Sequence, residues 1–457
     1  MDKSSISEQH VILKVPASPA KIYIREQNGR FQRIRRYLNI LLVGLFVLLP
    51  LIQFDGRQAI LFDIGQQTLA IFSVTLYPHD LAIFALLFIL GAFLLFYVTQ
   101  LYGRVWCGYT CPQTVWTLMF NWVERRVEGS HSHSRTLDKQ PWSGEKLAKK
   151  SLKHSLWVAM SLGTALVFIS YFVPARELYS EFFTLEASLL IQGWVWFFAV
   201  CTYINGGWLR EKMCQHICPY ARFQSAMFHK STKLVAYDAT RGESRGPRKR
   251  GAAKPEGVGD CIDCNLCVQV CPVGIDIRDG LQYECINCGL CVDACDDTMD
   301  KFNYPRGLIR YAVDSGSKST WGAHLGYGAA VLLTVTMMFV WAAHRHDFEV
   351  SVSRDRQSLY RINHQGDIEN TFVLKTLNKS QHSKHYSIRA EGLQGMQING
   401  PTQIEVAAGE HATTVLAVSV PKTPGQKKND IHFYIEELAS GESLARETIF
   451  YAGSGAW

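Results

Sequence analysis

The sequence predicts a multi-domain membrane protein with an α-helical transmembrane bundle of five spans, a cysteine-rich α+β domain and a C-terminal all-β sandwich. Apolar segments long enough to cross a bilayer recur five times. Eight of the thirteen cysteines fall in one 35-residue window, and residues 348–457 alternate apolar and polar side chains between turn residues. A composition that is 47% apolar, with a formal charge of +7, suits a membrane protein with sizeable soluble parts.

Each predicted span is an apolar run of helix-forming length. The five runs are about Leu38–Phe54, Leu81–Leu101, Ser155–Val173, Leu189–Ile204 and Leu325–Ala343. The stretch Gln58–Tyr77 is also apolar, but Asp63, Gln66 and Gln67 interrupt it, which favours a hairpin or an interfacial helix outside the membrane. The polar tail ahead of the first span argues against a cleavable signal peptide.

The distribution of positive charge orients the spans. Residues 1–36 hold eight Lys and Arg residues and residues 103–154 hold nine, whereas segments 55–80 and 174–188 hold one each. Because Lys- and Arg-rich loops stay in the cytoplasm, we expect the N-terminal tail, the 103–154 loop and the 205–324 loop to lie there. Five spans then place the C-terminal region outside, which in a Gram-negative bacterium is the periplasm. The expected location is therefore the bacterial inner membrane, crossed several times.

The cysteine-rich window contains one spacing, C-x2-C-x2-C-x3-C, twice. The first run is Cys261, Cys264, Cys267 and Cys271, and the second is Cys285, Cys288, Cys291 and Cys295. This doubled run is typical of bacterial two-cluster ferredoxins, in which the fourth cysteine of each run binds the cluster of the other run. The predicted ligand sets are therefore Cys261, Cys264, Cys267 with Cys295, and Cys285, Cys288, Cys291 with Cys271.

Two structural zinc sites are the alternative, because zinc also uses C-x2-C pairs. Three cysteines at two-residue intervals with a fourth three residues further on, and the Cys271-Pro272 pair, favour two 4Fe–4S clusters instead. Such clusters carry single electrons. They also require reduced thiols, which agrees with a cytoplasmic position.

The alternating pattern of the C-terminal region predicts a β-sandwich. Its predicted strands are Phe348–Ser353, Thr371–Leu377, Tyr386–Ala390, Gln403–Val406, Thr413–Val420, Ile431–Glu436 and Glu447–Tyr451. About seven short strands in this length, separated by turn residues, predict an immunoglobulin-like fold. The region has no cysteine and no evident catalytic cluster, so we expect it to contact a partner.

Two further cysteine pairs follow the second and fourth spans. Cys107 and Cys111 precede Pro112, and Cys214 and Cys218 precede Pro219, so that a C-x3-C-P motif occurs twice, 107 residues apart. A parallel internal repeat would bring the four thiols together. Positions i and i+4 of a helix have Cβ atoms about 5–6 Å apart, close enough to chelate one metal. The prolines favour a new helix after each second cysteine.

Four thiols at one place admit several functions. Soft thiolates select Cu(I), zinc or iron–sulfur clusters over hard cations. The four thiols could form a copper site, or another redox-metal site, within electron-transfer distance of the clusters. The alternatives are a structural zinc site, a redox-active dithiol pair and inert buried thiols.

Taken together, the two C-x3-C-P motifs, the doubled ferredoxin run and the segment Pro305–Arg310 resemble the cytochrome c oxidase accessory proteins of the CcoG, FixG and RdxA family. The resemblance covers nearly the whole chain. It gives this domain order: a cytoplasmic N-terminal tail (1–36), a four-helix transmembrane region with the first motif (37–204), a cytoplasmic segment with the second motif and a basic linker (205–258), a double 4Fe–4S ferredoxin domain (259–312), a fifth transmembrane helix (322–344) and a periplasmic immunoglobulin-like domain (348–457).

The resemblance implies a membrane-bound cupric reductase that converts Cu(II) to Cu(I) for the assembly of cbb3-type cytochrome c oxidase. It further implies two 4Fe–4S clusters, copper as substrate or bound ion, and a homodimer. The implied copper-handling thiols are those of Cys107, Cys111, Cys214 and Cys218. Implied partners are oxidase assembly factors, copper chaperones and membrane lipid, with the electron donor left open and no nucleic acid required.

Two other functions remain open at this level. The chain is alternatively a membrane ferredoxin that feeds a quinol-linked or periplasmic reductase, or a non-catalytic scaffold for oxidase assembly. The immunoglobulin-like tail favours the cupric reductase over the electron-transfer module.

Overall fold

The computed structural model describes residues 21–229, 231–251, 254–313, 321–355, 358–421 and 427–452. Residues 1–20 of the predicted tail lie outside these ranges. The chain divides into two compact units. The first contains the residues up to Phe72 together with Leu76–Met338, and the second contains Ser73–Thr75 together with the residues from Phe339 onward.

Most helices belong to the first unit. In chain order they are α1 (Arg30–Leu48), α2 (Leu81–Tyr102), α3 (Val105–Tyr109), α4 (Pro112–Glu128), α5 (His131–Lys139), α6 (Gly144–Ile169), α7 (Ala175–Thr184), α8 (Leu189–Tyr203), α9 (Pro219–Ala226), α10 (Ala239–Gly242), α11 (Leu266–Gln269), α12 (Leu290–Lys301) and α13 (Trp321–Ala343). Two short π-helical segments, Ile204–Leu209 and Met213–Ile217, follow α8.

Five helical stretches in the described ranges are long and apolar enough to cross a membrane. They are Arg30–Leu51, Ala82–Tyr102, Gly144–Ile169, Leu189–Leu209 and His324–Ala343. Each overlaps one predicted span, so the predicted number of apolar helices is confirmed. Two of them begin earlier in the chain than hydropathy predicts, at Arg30 rather than Leu38 and at Gly144 rather than Ser155.

Buried polar contacts explain both early starts. In α1, Arg35 is 1% exposed and its Nε donates to the carbonyl oxygen of Gly108 at 2.9 Å. In α6, Lys150 and Lys153 each lie 2.7 Å from Glu128 of α4. A hydropathy window leaves these charged residues out of a predicted span. In the folded protein their charges have partners on other elements, so the helices begin before the apolar runs.

The segment between α1 and α2 forms strands. These are β1 (Gln53–Phe54), β2 (Arg57–Gln58), β3 (Ile60–Asp63), β4 (Thr68–Ile71) and β5 (Val74–Leu76). Strands β3 and β4 pair antiparallel, with Asp63 opposite Thr68, so the predicted hairpin is present and the alternative of an interfacial helix is wrong. Asp63, Gln66 and Gln67 lie at its turn, where Asp63 accepts a hydrogen bond from the Gln66 backbone.

The cysteine-rich region packs around α11, α12 and a two-stranded antiparallel sheet of β6 (Leu234–Tyr237) and β7 (Ile309–Ala312). Helix α12 also caps the first apolar helix. The Asp293 carboxylate accepts hydrogen bonds from the backbone N–H groups of Phe31 and Gln32, at 3.2 and 2.9 Å. A Cβ on Gly29 would lie 2.2 Å from the Asp293 carboxyl carbon, so any larger residue here would displace the capping carboxylate.

The second unit is a two-sheet sandwich. Its strands are β8 (Phe348–Arg354), β9 (Arg361–Ile362), β10 (Ile368–Asn378), β11 (Lys384–Glu391), β12 (Gln397–Asn399), β13 (Gln403–Val406), β14 (His411–Val420), β15 (Lys428–Glu437) and β16 (Ser443–Tyr451). One sheet has the order β12-β14-β10-β8, with β9 beside β10, and the other has the order β13-β11-β15-β16. Phe372, Tyr386 and Phe433 form the fully buried centre between them. All seven predicted strands are present, and β9 and β12 are additional.

Candidate metal and thiol site

The two cysteine runs share one backbone conformation. The residue before the second cysteine of each run, Asp263 or Asn287, has a positive φ of 54° or 53°. The residue after it, Asn265 or Gly289, has a φ of 56° or 72° and lies at the start of α11 or α12. Asp, Asn and Gly are the residues that adopt this left-handed conformation most readily. The repeated spacing therefore produces two equivalent loops, each followed by a helix.

The predicted ligand sets define a first group, Cys261, Cys264, Cys267 and Cys295, and a second group, Cys285, Cys288, Cys291 and Cys271. The electrostatic neighbours of the two fourth cysteines agree with this crossed arrangement, which stays a prediction. Burial raises the pKa of the Cys295 thiol to about 12, and the neighbouring thiols of Cys267 and Cys261 raise it further. Burial likewise raises the pKa of Cys271 to about 12, here with Cys288 and Cys285 as neighbours. The fourth cysteine of each run, Cys271 or Cys295, therefore lies near cysteines of the other run.

The second group lies around a small enclosed cavity. Its walls include the four thiol-bearing residues of this group and Cys267, together with apolar residues such as Val235 and Ile277. All thirteen cysteines are free thiols. Within the described ranges, no three His, Cys, Asp or Glu side chains converge closely enough to bind a single ion. A 4Fe–4S cluster instead takes one thiolate on each of four iron atoms. Two sets of four free thiols, most of them buried or half-buried and Cys264 exposed, fit that donor set.

The C-x3-C-P motifs adopt a geometry that differs from the predicted one. Cys107 lies in α3, whereas Cys111 is the residue immediately before α4 and has φ −59° and ψ 130°. Cys214 lies in the second π-helical segment, and Cys218 immediately precedes α9. The predicted new helix after each second cysteine is therefore present, whereas the expectation that both cysteines of a pair lie on one face of a single helix is wrong. The prolines explain this, since the residue before proline avoids the α region and proline opens the next helix.

The four thiols of Cys107, Cys111, Cys214 and Cys218, called here the four-thiol site, nevertheless lie near one another, although no three of them converge on one ion position in this structure. Burial raises the pKa of the Cys214 thiol to about 12, and nearby Cys111 and Cys107 raise it further. Burial also raises the pKa values of Cys107 and Cys111, and both thiols have Cys218 as a neighbour. The internal repeat thus brings residues 107 positions apart in the chain to one place.

A buried arginine lies beside these thiols. Arg104 is 2% exposed, and its Nη1 donates to the carbonyl oxygen of Tyr283 at 2.8 Å. Its Nε and Nη2 have no hydrogen-bond partner within the described part of the chain. Its charge opposes the effect of burial on the pKa of Cys107 and also acts on Cys285 of the second cluster group. A buried cation needs a compensating anion, and thiolates at either site would supply one.

The four-thiol site packs directly against the cluster loops. The Tyr109 hydroxyl donates to the carbonyl oxygen of Cys288 at 3.0 Å. A Cβ on Gly108 would lie 2.6 Å from the carbonyl oxygen of Ile286 and 3.1 Å from Cα of Cys288. The Cys107 Sγ lies 2.9 Å from Oε1 of the fully buried Gln224. The first motif is therefore in contact with the loop that carries three of the eight cluster cysteines.

Sequence patterns did not identify Arg104, Tyr109 or Gln224. An arginine after an apolar helix usually indicates the edge of the membrane. The sequence therefore gives no reason to expect that Arg104 is buried beside the thiols. The one available signal for Tyr109 is its position inside the first motif.

An ion-pair network fixes α4 beside this site. The Glu124 carboxylate lies 2.8 Å from Arg210 and 2.5 Å from Lys21, and its side chain is 9% exposed. Burial alone would raise the pKa of Glu124, but Arg210 and Lys21 outweigh burial and lower the pKa to about 2. The pairs therefore hold the segment before the second motif against the helix that begins at the first.

Three family profiles match the chain. The profile described as "4Fe-4S dicluster domain" matches residues 209–314, and that described as "4Fe-4S binding domain" matches residues 82–129. A third, described as "IG-like fold at C-terminal of FixG", matches residues 338–453. The first two matches support the iron–sulfur interpretation and contain the two C-x3-C-P motifs. The third supports the immunoglobulin-like fold.

Curated relatives match most of the chain. The chain is 36% identical over 416 residues to the nitrogen fixation protein FixG of Rhizobium meliloti, covering 82% of this chain and 79% of that protein. It is 35% identical over 439 residues to protein RdxA of Cereibacter sphaeroides, covering 90% and 91%. A crystal structure of a FixG-related protein from Vibrio parahaemolyticus is 27% identical, with a TM-score of 0.22, covering 23% of this chain and 97% of that one.

Proposed function

Because this chain belongs to the FixG/RdxA family and is a membrane iron–sulfur electron-transfer protein, we propose that it reduces Cu(II) to Cu(I) at the four-thiol site. The product would serve the assembly of cbb3-type cytochrome c oxidase. One observation carries the proposal: four thiols outside the eight cluster ligands lie near one another, and the motif that contains Cys107 and Cys111 packs against the loop of the second cysteine run.

Copper chemistry suits this donor set. Cu(II) favours nitrogen and oxygen ligands in tetragonal geometry, whereas thiolates favour Cu(I). Four soft ligands therefore raise the potential of the copper ion and make its one-electron reduction favourable. The eight cysteines of the two runs would hold two 4Fe–4S clusters, which supply single electrons when bound.

Copper binding at the four-thiol site involves the release of thiol protons, and a neighbouring cation balances the negative charge that results. The raised pKa values of Cys107, Cys111 and Cys214 keep these thiols protonated at neutral pH, so copper binding releases protons. The adjacent Arg104 guanidinium would compensate the thiolates so formed. Affinity for Cu(I) should consequently rise with pH throughout the range below these pKa values.

The orientation in the membrane is part of the proposal. The Lys and Arg distribution supports an inner-membrane protein with cytoplasmic clusters and a periplasmic C-terminal domain. Oxidase assembly factors and copper chaperones are the partners that suit this arrangement, with the immunoglobulin-like domain as a contact surface.

Replacing Cys107, Cys111, Cys214 and Cys218 together by serine tests the proposal. The four-fold variant should keep its iron and its cluster absorbance, because none of the four belongs to the ferredoxin runs. It should lose bound copper, and dithionite-reduced protein should no longer convert Cu(II) to Cu(I) at the original rate.

Cys201→Ser is the matched control, because Cys201 lies alone in a span and should not affect copper. Unchanged copper content and an unchanged reduction rate in the four-fold variant would refute the assignment. That result would favour an electron-transfer module that acts on another acceptor.

A further inference from the structure

A cavity of about 470 Å³ lies among the apolar helices, beside the first C-x3-C-P motif. The aromatic side chains of Phe46, Trp116, Phe168 and Phe198 form much of its wall. They come from α1, α4, α6 and α8, and three of these helices are candidate membrane spans. The volume lies within the ~300–1,000 Å³ typical of small-molecule pockets. A molecule that enters from the bilayer must itself be lipid-soluble.

Two polar side chains line this cavity without a protein partner. The hydroxyl of Thr202 and the side-chain amide of Asn205 have no hydrogen-bond partner among the described residues. Thr164, which also lines the cavity, differs because its hydroxyl donates to the Met160 carbonyl and accepts from the Trp116 indole. Both residues are half-buried, and an unpaired polar group is costly in hydrocarbon, so a bound molecule with matching polar atoms would stabilise them.

The cavity adjoins the redox-active part of the molecule. Thr110 and Pro112, which flank Cys111 of the four-thiol site, are among its lining residues. An electron donor bound here would therefore lie next to the site whose reaction consumes electrons. A phospholipid acyl chain would fill the apolar part of the cavity but would leave the side chains of Thr202 and Asn205 unpaired. An aromatic ring with two oxygen atoms would fill the apolar part and could also form hydrogen bonds with both side chains.

We propose that this cavity binds the ring of a membrane quinol, the electron donor for the copper reduction on which this inference rests. Oxidation of one quinol to its quinone breaks two O–H bonds and releases two electrons and two protons. The two clusters that the eight cysteines would hold would take up these electrons one at a time. The lining residues include no titratable side chain, so the protons pass to water.

Filling the cavity tests the proposal. Leu42→Trp places an indole in the cavity, whereas Leu41→Trp, on the exposed face of the same helix, is its matched control. The iron-loaded full chain in nanodiscs is titrated calorimetrically with decylubiquinone and, separately, with a short-chain menaquinone. One quinone per chain is expected for the wild type and for Leu41→Trp, with at least ten-fold weaker binding for Leu42→Trp.

Removing one hydrogen bond provides a second, gentler test. Thr202→Val should weaken quinone binding about three- to ten-fold, the usual effect of losing one hydrogen bond. Thr336→Val is its control, because the Thr336 hydroxyl bonds to the Leu332 carbonyl in another helix. This pair decides the question if Leu42→Trp loses iron and fails to fold.

Two results would overturn the proposal. One is equal quinone affinity in Thr202→Val and the wild type, and the other is recovery of phospholipid without saturable quinone binding. Dithionite separates this failure from failure of the proposed function. Chemically reduced protein that still reduces Cu(II) leaves the copper proposal standing, whereas chemically reduced protein that does not reduce Cu(II) refutes it whatever the quinone result.

Discussion

Replacing Gly108 by alanine tests the contact between the four-thiol site and the cluster loop. The added Cβ would lie 2.6 Å from the carbonyl oxygen of Ile286, about 0.8 Å inside ordinary van der Waals contact. Cα of Cys288, at 3.1 Å, would also be too close. Both neighbours are backbone atoms of the loop that carries the second cysteine run. The loop and α3 must therefore move apart.

The energetic effect follows from two opposing terms. Overpacking a well-packed contact by one methyl group costs about 1–3 kcal/mol. The higher helix propensity of alanine recovers at most about 1 kcal/mol, because Gly108 has helical backbone angles. We therefore expect a net loss of stability, together with slower oxidation of the reduced protein by Cu(II). Iron content should not change, since no ligand is altered.

Thermal unfolding and stopped-flow oxidation by Cu(II) measure the two effects on the purified holoprotein. Gly91→Ala is the matched control, because Gly91 lies in α2 and its Cβ would meet no atom within 4 Å. It should leave the oxidation rate unchanged. If Gly108→Ala leaves both the unfolding temperature and the oxidation rate at their original values, the contact does not contribute to electron transfer.

Three further predictions concern the clusters, the ion-pair network and the topology. Cys271→Ser should halve the iron content from about eight atoms per chain by damaging the cluster of the second run; loss of the first run's cluster instead, resolved by electron paramagnetic resonance, would contradict the crossed ligand sets. Glu124→Gln should destabilise the protein by about 3–5 kcal/mol because Arg210 is left buried and unpaired, whereas Glu145→Gln at an exposed pair should have no measurable effect on chemical denaturation. The depressed pKa of Glu124 adds stability that is fully present above pH 4.5 and is lost as pH falls through about 2, so wild type and Glu124→Gln should converge on acidification. Reporter enzymes active only in the periplasm should be active when fused to the C-terminal domain and inactive near Lys254, and the reverse pattern would mean that the spans are oriented the other way.

Features encoded by local spacing could be predicted from the sequence. The two cysteine runs determine their own loops, since Asn265 and Gly289 follow the second cysteine in each and both adopt the left-handed backbone. The β-strands of the C-terminal domain are equally local, because strict alternation specifies one buried face. The proximity of the two C-x3-C-P motifs could be predicted only because the motif occurs twice at equivalent positions of an internal repeat.

Features that depend on distant partners could not be predicted. The start of α6 at Gly144 depends on Glu128 of another helix, which hydropathy along the chain does not detect. The break after Cys111 is a local feature that Pro112 predicts, whereas the π-helical turn that contains Cys214 has no such signal. Arg104 could not be identified, since its burial arises from packing against Tyr283, far away in the chain.

The cap that Asp293 places on α1 has a consequence for biosynthesis. The ribosome completes α1 at Leu48, 245 residues before it adds Asp293, so the first apolar helix forms with its leading N–H groups unpaired by this carboxylate. Asp293 lies between Cys291 and Cys295 on α12, so cluster binding by the neighbouring cysteines would help to fix this helix. Maturation of the clusters would then complete the cap of the first apolar helix, and iron starvation should leave α1 open to proteases at its N-terminal end.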